Sequence, residues 1–238
     1  MRAAIVNRSI PRLPAEKVGL LARLSSAVVC DVLGGDRVLD SSIGPVGDGR
    51  RVAGQAVTVH NGPGSNLGVH VALEVAGPGD VIVLSPSSPG DAAYGLWGGI
   101  ANSCGLARAL GGVVADGFVR DTRAIRHAGL PVWARGSDPR SGTKDRLVGV
   151  NVDVLCGGVL VRPGDVVVAD DDGIAVVRIE DVDDVLDDGL RRLRWEEEMT
   201  HRVGRGEATT FTALGLDSLV ADGRLEFVGT TSPEGHHA

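Results

Sequence analysis

The residues best able to do chemistry are Arg120 and Asp121, an adjacent pair at the end of the apolar run that begins at Gly112. An arginine grips a carboxylate through two parallel hydrogen bonds, and an aspartate holds a hard cation directly or through water. Upstream stands Trp97-Gly98-Gly99-Ile100-Ala101, where a glycine pair precedes a helical pattern. The free N–H groups of a helix start favour anions. Gly98, Gly99, Ile100 and Ala101 therefore make a candidate anion cradle, Arg120 a second anion contact, and Asp121 a candidate metal ligand beside them. A plainer reading stays open. Asp121 precedes Thr122–Ala128, a short helix closed by Gly129, so it could be an N-cap, with Arg120 a surface cation.

The elements that must position this pair are legible. Gly98-Gly99 can adopt backbone angles closed to other residues and let a ligand approach the main chain. Ile100, Cys104, Ala107 and Leu110 recur at spacings of three and four, which predicts one apolar helix face, stopped by Gly111-Gly112. Val113 to Asp116 reads as a short buried strand. A turn, helix and strand of this kind bring the strand's end back to the helix's start, so the cradle and the Arg120-Asp121 tip converge.

Elsewhere, residues 14–24 read as a helix and Ser25-Ser26 begin a second, in which Asp31 is structural. Residues 55–60 alternate as a strand, and Gly62-Pro63-Gly64-Ser65-Asn66 leads into a helix over 67–76. The phrase Pro-Gly-Asp recurs at 78–80 and 163–165, each time as a tight turn delivering a buried strand. Asp170-Asp171-Asp172-Gly173 is a hairpin turn between hydrophobic strands rather than a cation cluster. Residues 131–136 form a strand, and 137–146 is a polar loop of the kind that closes over a site. Residues 180–206 are helical and heavily charged.

Several functions find no support. A net charge of −7 without a basic run gives no nucleic-acid footprint. Cysteines 30, 104 and 156, odd in number and widely spaced, suit reduced thiols and a cytoplasmic setting. No stretch has the length and apolarity of a membrane span. The spacing Gly62, Gly64, Gly68 is not that of a dinucleotide loop. No nucleophile elbow or zinc motif occurs, and the six histidines fall at no metal-ligand spacing.

The string GGVVADGFVRDTRAIRHAGLPVWARG (111–136) resembles the signature of the RraA-like family. The likeness extends through LSSAVVCDVLG, AVTVHNGPGSNL, AGPGDVIVL and VRPGDVVVADDDGIAVV into the acidic C-terminal helix. That family includes 4-hydroxy-4-methyl-2-oxoglutarate / 4-carboxy-4-hydroxy-2-oxoadipate aldolases and the regulator of ribonuclease activity A, and its members are often mislabelled demethylmenaquinone methyltransferases. The resemblance implies an α/β fold of the swivelling β/β/α sandwich kind, in one domain over 1–228 with a disordered tail at 229–238. It implies a homotrimer or homohexamer with sites between subunits, binding of a 2-oxo acid, and a divalent Mg²⁺ or Mn²⁺ ion at Asp121. The expected reaction is retro-aldol cleavage releasing pyruvate, with decarboxylation of oxaloacetate passing through the same enolate. In the aldolases a glutamate of the C-terminal helix reaches a neighbouring subunit's site; Glu196 matches best, with Glu197 and Glu198 competing. Two departures stand out. Ser65 replaces an acid that family members commonly carry before Asn66, and Gly99, 21 positions before Arg120, stands where the characterised aldolases have an aspartate. The ribonuclease-regulator branch lacks the aspartate after its arginine, which this chain keeps as Asp121.

Overall fold

The computed structural model describes residues 3–88 and 94–229. The chain forms two compact units, residues 1–190 and 191–238. Of the expected disordered tail at 229–238, residues 230–238, with His236 and His237, lie outside the described residues.

The first unit runs β1 (Ile5–Val6), α1 (Ala15–Leu21), α2 (Ser26–Val32), β2 (Gly44–Pro45), β3 (Val52–Asn61), α3 (Leu67–Val75), β4 (Val81–Ser85), β5 (Gly95–Trp97), α4 (Gly99–Ala107), β6 (Gly112–Val119), α5 (Thr122–Ala128), β7 (Val132–Ser137), β8 (Leu147–Val150), β9 (Val154–Cys156), β10 (Val159–Val161), β11 (Val166–Ala169) and β12 (Ile174–Val177). One large sheet has the order β1-β8-β3-β4-β6-β7-β2, with β11 pairing β3 and β12, and β5 pairing β6. Strands β3, β4, β6 and β7 are mutually parallel. Near-continuous runs such as Val81-Ile82-Val83-Leu84 are what a sheet covered on both faces requires.

Alternate residues of those strands feed two cores. Val57, Val59, Ile82, Leu84, Val113 and Ala115 pack with Val69, Ala72 and Leu73 of α3, Ala101 of α4 and Ile125 of α5. On the opposite face Ala56, Val81, Val83, Val114 and Trp133 meet Val154, Cys156, Val161, Val167 and Ile174 from the later strands. Helices on one face and β structure on the other give the β/β/α sandwich.

The two Pro-Gly-Asp turns are built alike. Asp80 accepts from the Gly77 N–H at 2.7 Å and is gripped by both terminal nitrogens of Arg12. Asp165 accepts from the Arg162 N–H at 2.9 Å and pairs with Arg178. Asp170 stands in the expected β11–β12 hairpin, where its N–H donates to the Gly173 carbonyl. Its buried carboxylate also accepts from the N–H and hydroxyl of Ser26, fixing the start of α2.

Helix α4 differs from its expected form. Its buried residues are Ala101, Asn102 and Gly105, whereas Ile100 is 85% exposed. A Cβ on Gly105 would stand 3.0 Å from Leu130 and 3.3 Å from Trp97, so the helix packs by its smallest residues. It ends at Ala107, before Gly111-Gly112, with Ala109 in the left-handed region (φ 55°). Strand β6 is longer than the four residues expected.

Helix α6 (Val182–Gly204) begins in the first unit, and the second adds α7 (Thr210–Ala213) and α8 (Asp217–Ala221). No residue of 191–229 is buried. No helix among the described residues is long and apolar enough to cross a membrane.

Candidate functional site at the end of strand β6

Strand β6 lies between β4 and β7, and β5 pairs along its last residues, Gly95 with Phe118 and Trp97 with Val119. The Arg120 N–H then donates to the Trp97 carbonyl at 2.9 Å. This one backbone bond sets the start of α4 beside the charged tip, as the order of elements predicts. The Gly99 N–H donates to Oδ2 of Asp121 at 2.9 Å, and Nε of Arg120 stands 3.8 Å from the same oxygen. Both side chains remain partly open, at 38% for Arg120 and 49% for Asp121.

Asp121 occupies the N-cap position of α5, but its carboxylate makes no capping bond to that helix. Its backbone is left-handed (φ 58°, ψ 33°), a conformation that costs an L-residue about 1–2 kcal/mol and that aspartate tolerates better than most. The plain N-cap reading is thus met in position and not in bonding: the carboxylate serves the start of α4 instead.

The glycines serve close approach. Gly98 is extended (φ −155°), an angle open to any residue, and Gly99 is helical, so neither makes the expected special turn. A Cβ on Gly98 would stand 3.1 Å from Cγ and Nε of Arg120 and from Oδ2 of Asp121; one on Gly99 would stand 3.3 Å from Oδ2 of Asp121. The absent side chains are the space the tip fills. Gly99 directs its N–H to Asp121, so the first-turn donors of α4 left for an incoming anion are those of Ile100 and Ala101.

Two clefts flank the tip. One of about 260 Å³ is lined by Arg120, Asp121, Thr122, Ser137, Asp138 and Pro139. The other, an open trough of about 720 Å³, is lined by Asp121, Thr122, Arg123, Ala124 and His127. Asp138 went unremarked in the sequence because it sits in a loop with no motif. Its carboxylate accepts from Nε of Arg140 at 2.8 Å and Nη2 at 2.9 Å, and this grip holds it below the usual carboxylate range. The polar loop 137–146 lies across neighbouring elements, bridging Ser141 to Gly95 and Thr143 to Ser65. It brings Nζ of Lys144 to 3.3 Å from Oδ1 of Asn66, whose own amide reaches toward the Leu96 carbonyl. Polar character alone pointed to this loop; which of its side chains meet Asn66 depends on strand pairing that sequence does not give.

Glu196 belongs to the second unit, where it accepts from Nε of Arg192 at 2.8 Å one helical turn away. No group of three or more His, Cys, Asp or Glu side chains among the described residues forms a metal-binding cluster. The donors at the tip fit a hard cation that keeps much of its water, since Mg²⁺ is commonly held by one or two carboxylates. Asp121 is half-exposed, both its protein contacts fall on Oδ2, and Asp138 lines the same cleft.

A cavity of about 580 Å³ is lined by His60, Ser85, Asp116, Arg135 and residues of β9. Its Asp116–Arg135 pair is spent on the scaffold. Asp116 accepts from Nε of Arg135 and from the Gly157 N–H. Burial lowers the His60 pKa, which favours the neutral ring, and raises that of the Cys156 thiol, so that cysteine is not poised as a nucleophile.

Fold and tip together define an α/β sandwich protein carrying a charged site at the carboxyl end of a central parallel strand. The chain belongs to the RraA-like family: the family's profile, described as Aldolase/RraA, matches residues 26–176. A Halalkalibacterium halodurans protein with the provisional name 4-hydroxy-4-methyl-2-oxoglutarate aldolase is 37% identical over 156 residues, covering 65% of this chain and 72% of its own. The crystal structure of Streptomyces coelicolor RraAS2, titled an unusual member of the RNase ES inhibitor RraA family, matches with a TM-score of 0.72 at 33% identity, covering 81% of this chain and 99% of that one. The RNA-processing inhibitor RraA from Thermus thermophilus matches with a TM-score of 0.57 at 26% identity, over 64% of this chain and 91% of that one.

Proposed function

We propose that the protein is a divalent-metal-dependent carbon–carbon lyase that cleaves a 4-hydroxy-2-oxo dicarboxylic acid and releases pyruvate, with decarboxylation of oxaloacetate as a second activity of the same site. The observation that carries this reading is Asp121: a carboxylate held in left-handed backbone against the start of α4, half-open to a cleft, beside Arg120. A residue retained only to cap α5 would make a bond to that helix.

In this reading the half-exposed Asp121 carboxylate would hold Mg²⁺ or Mn²⁺ with water. The ion would supply Lewis-acid stabilisation for the negative charge that develops as the bond breaks. Arg120 grips the 2-oxo acid's carboxylate, and the first-turn N–H groups of α4 add donors for the same anion. The C3–C4 bond breaks, its electron pair passes to the enolate of pyruvate, the C4 hydroxyl gives up its proton as it becomes a carbonyl, and the enolate then takes a proton at C3 to leave as pyruvate. Glu196 of the partner subunit is the proposed acceptor for that proton or for the water that relays it. The reading therefore includes a homo-oligomer, a trimer or hexamer, and treats 1–228 as one functional domain located in the cytoplasm.

The test is pyruvate release from 4-hydroxy-4-methyl-2-oxoglutarate and from oxaloacetate with Mg²⁺ or Mn²⁺. Dependence on both the metal and Asp121, lost in Asp121→Ala, is the expected result; turnover indifferent to either would sink the proposal. A second reading, a non-catalytic regulator of an RNA-processing enzyme, draws on the likeness to RraAS2 and on Gly99, which leaves the tip one carboxylate poorer than in the aldolases the sequence resembles. Metal bound at Asp121 without turnover of these two acids would point to a metal-dependent enzyme of the same fold acting on a different oxo acid; no metal binding either would favour the regulator.

A further inference from the structure

Gly99 brings no carboxylate to the tip, but Asp138 brings one to the cleft that Asp121 lines. Strands β6 and β7 are parallel, and Val119 pairs with Ser137. The residues that follow, Arg120-Asp121 on one strand and Asp138 on the other, therefore leave the sheet side by side. The Asp138 N–H donates to the Val119 carbonyl at 2.9 Å, which extends the pairing by one bond and fixes where Asp138 begins. Asp121 and Asp138 both line the cleft of about 260 Å³.

Asp138 is also held in orientation. Oδ1 accepts from the Arg140 N–H and Nε, each at 2.8 Å, and Oδ2 accepts from Nη2 at 2.9 Å. Arg140 itself is not among the residues that line the cleft, and its guanidinium stacks 5.5 Å from the ring centre of Tyr94. An ionised carboxylate offers about four acceptor positions, and Arg140 with its own N–H uses three.

We propose that Asp138 is the second anionic wall of this cleft, a positioning residue that accepts hydrogen bonds from water around the cation held by Asp121, in the part of the shell where Gly99 offers no carboxylate. The inference rests on the metal-dependent reading of the tip. Partners of this kind outside the ligand shell orient water and typically change metal affinity by about 10- to 100-fold when removed. The alternative is that Asp138 only shapes the loop through its turn with Arg140.

Asp138→Asn separates the two, because asparagine keeps an acceptor for the Arg140 N–H and loses the charge. Free Mn²⁺ would be followed by its electron paramagnetic resonance signal during titration of the full chain, alongside thermal unfolding. Asp138→Asn should weaken Mn²⁺ binding about tenfold with an unchanged unfolding temperature, and Asp121→Asn should abolish binding. The double variant Gly99→Asp with Asp138→Asn should recover most of the affinity, since a Cβ at position 99 stands 3.3 Å from Oδ2 of Asp121 and needs only a slight adjustment. Binding lost with Asp121 but wild-type in Asp138→Asn would overturn the role of Asp138 and leave the metal reading standing. Binding unaffected by either variant would overturn both.

Discussion

Position 98 is where one methyl group should matter most at the tip. Alanine there keeps an ordinary extended backbone, so the fold has no reason to object, but its Cβ meets Arg120 and Asp121 at 3.1 Å. Gly98→Ala should lower kcat/KM for pyruvate release by about 10- to 100-fold, the scale of a reacting group misplaced by about 1 Å, with little change in unfolding temperature. Equal activity in a steady-state assay would show that the tip has slack. Asp121 carries a backbone constraint as well as a charge. Asp121→Asn and Asp121→Gly both suit a left-handed residue and should change stability by less than about 1 kcal/mol, whereas Asp121→Val should cost about 1–2 kcal/mol. Denaturant unfolding of the three variants checks this; a harmless valine would mean the turn relaxes. Arg120 and Asp121 were legible because their types and order carry chemistry. That Asp121 would bond to α4 instead of its own helix was not, because the sign of φ at one residue depends on packing.

Among the elements, the acidic hairpin after β11 ties strands to helix. Burial would push the Asp170 carboxyl up, but hydrogen bonds from the hydroxyl and N–H of Ser26, from the Asp172 N–H and the charge of Arg51 outweigh it, and the group titrates below its ordinary value. A carboxyl lowered in the folded state stabilises fully above its unfolded pKa of about 3.9, and that contribution is lost as pH falls through the lower folded value. Asp170→Asn should cost about 1–3 kcal/mol near neutrality and flatten the acid limb of stability against pH. An unchanged acid limb would place the sensitivity in other carboxylates. This turn, the short buried strands and α5 were legible through period, glycine and proline; that the central strands run parallel was not. The sequence misled over α4, since counting large apolar residues selects Ile100, while the helix packs through Ala101, Asn102 and Gly105 against Trp97 and Leu130. Strand β5 is too short to carry a pattern, and it exists because β6 is there to pair with it.

For the whole molecule, the relevant contrast is between a first unit with two cores and a stretch, 191–229, in which no residue is buried although it carries Trp195, Leu214, Val220, Phe227 and Val228 with substantial exposure. The proposed homo-oligomer should appear in light scattering as a mass of three or six times 24.5 kDa. Amide hydrogen exchange across 191–229 should be fast relative to β3, β4 and β6 in dilute protein, and slower at concentrations where the oligomer is complete. A monomer at every concentration, active on an oxo acid, would remove any part for Glu196 of the partner subunit.

The left-handed backbone at position 121 also bears on how such a chain drifts over generations. The aspartate codons lie one base change from those of asparagine and of glycine, the two residues best suited to that conformation. Either change would remove the proposed metal ligand while leaving the scaffold intact, so selection for folding alone would let it pass. If the proposed role of Asp121 holds, a lineage can thus leave catalysis by a single neutral step and keep a sound surface free for other employment, which offers a physical route by which one architecture comes to include proteins named as aldolases and proteins named as inhibitors.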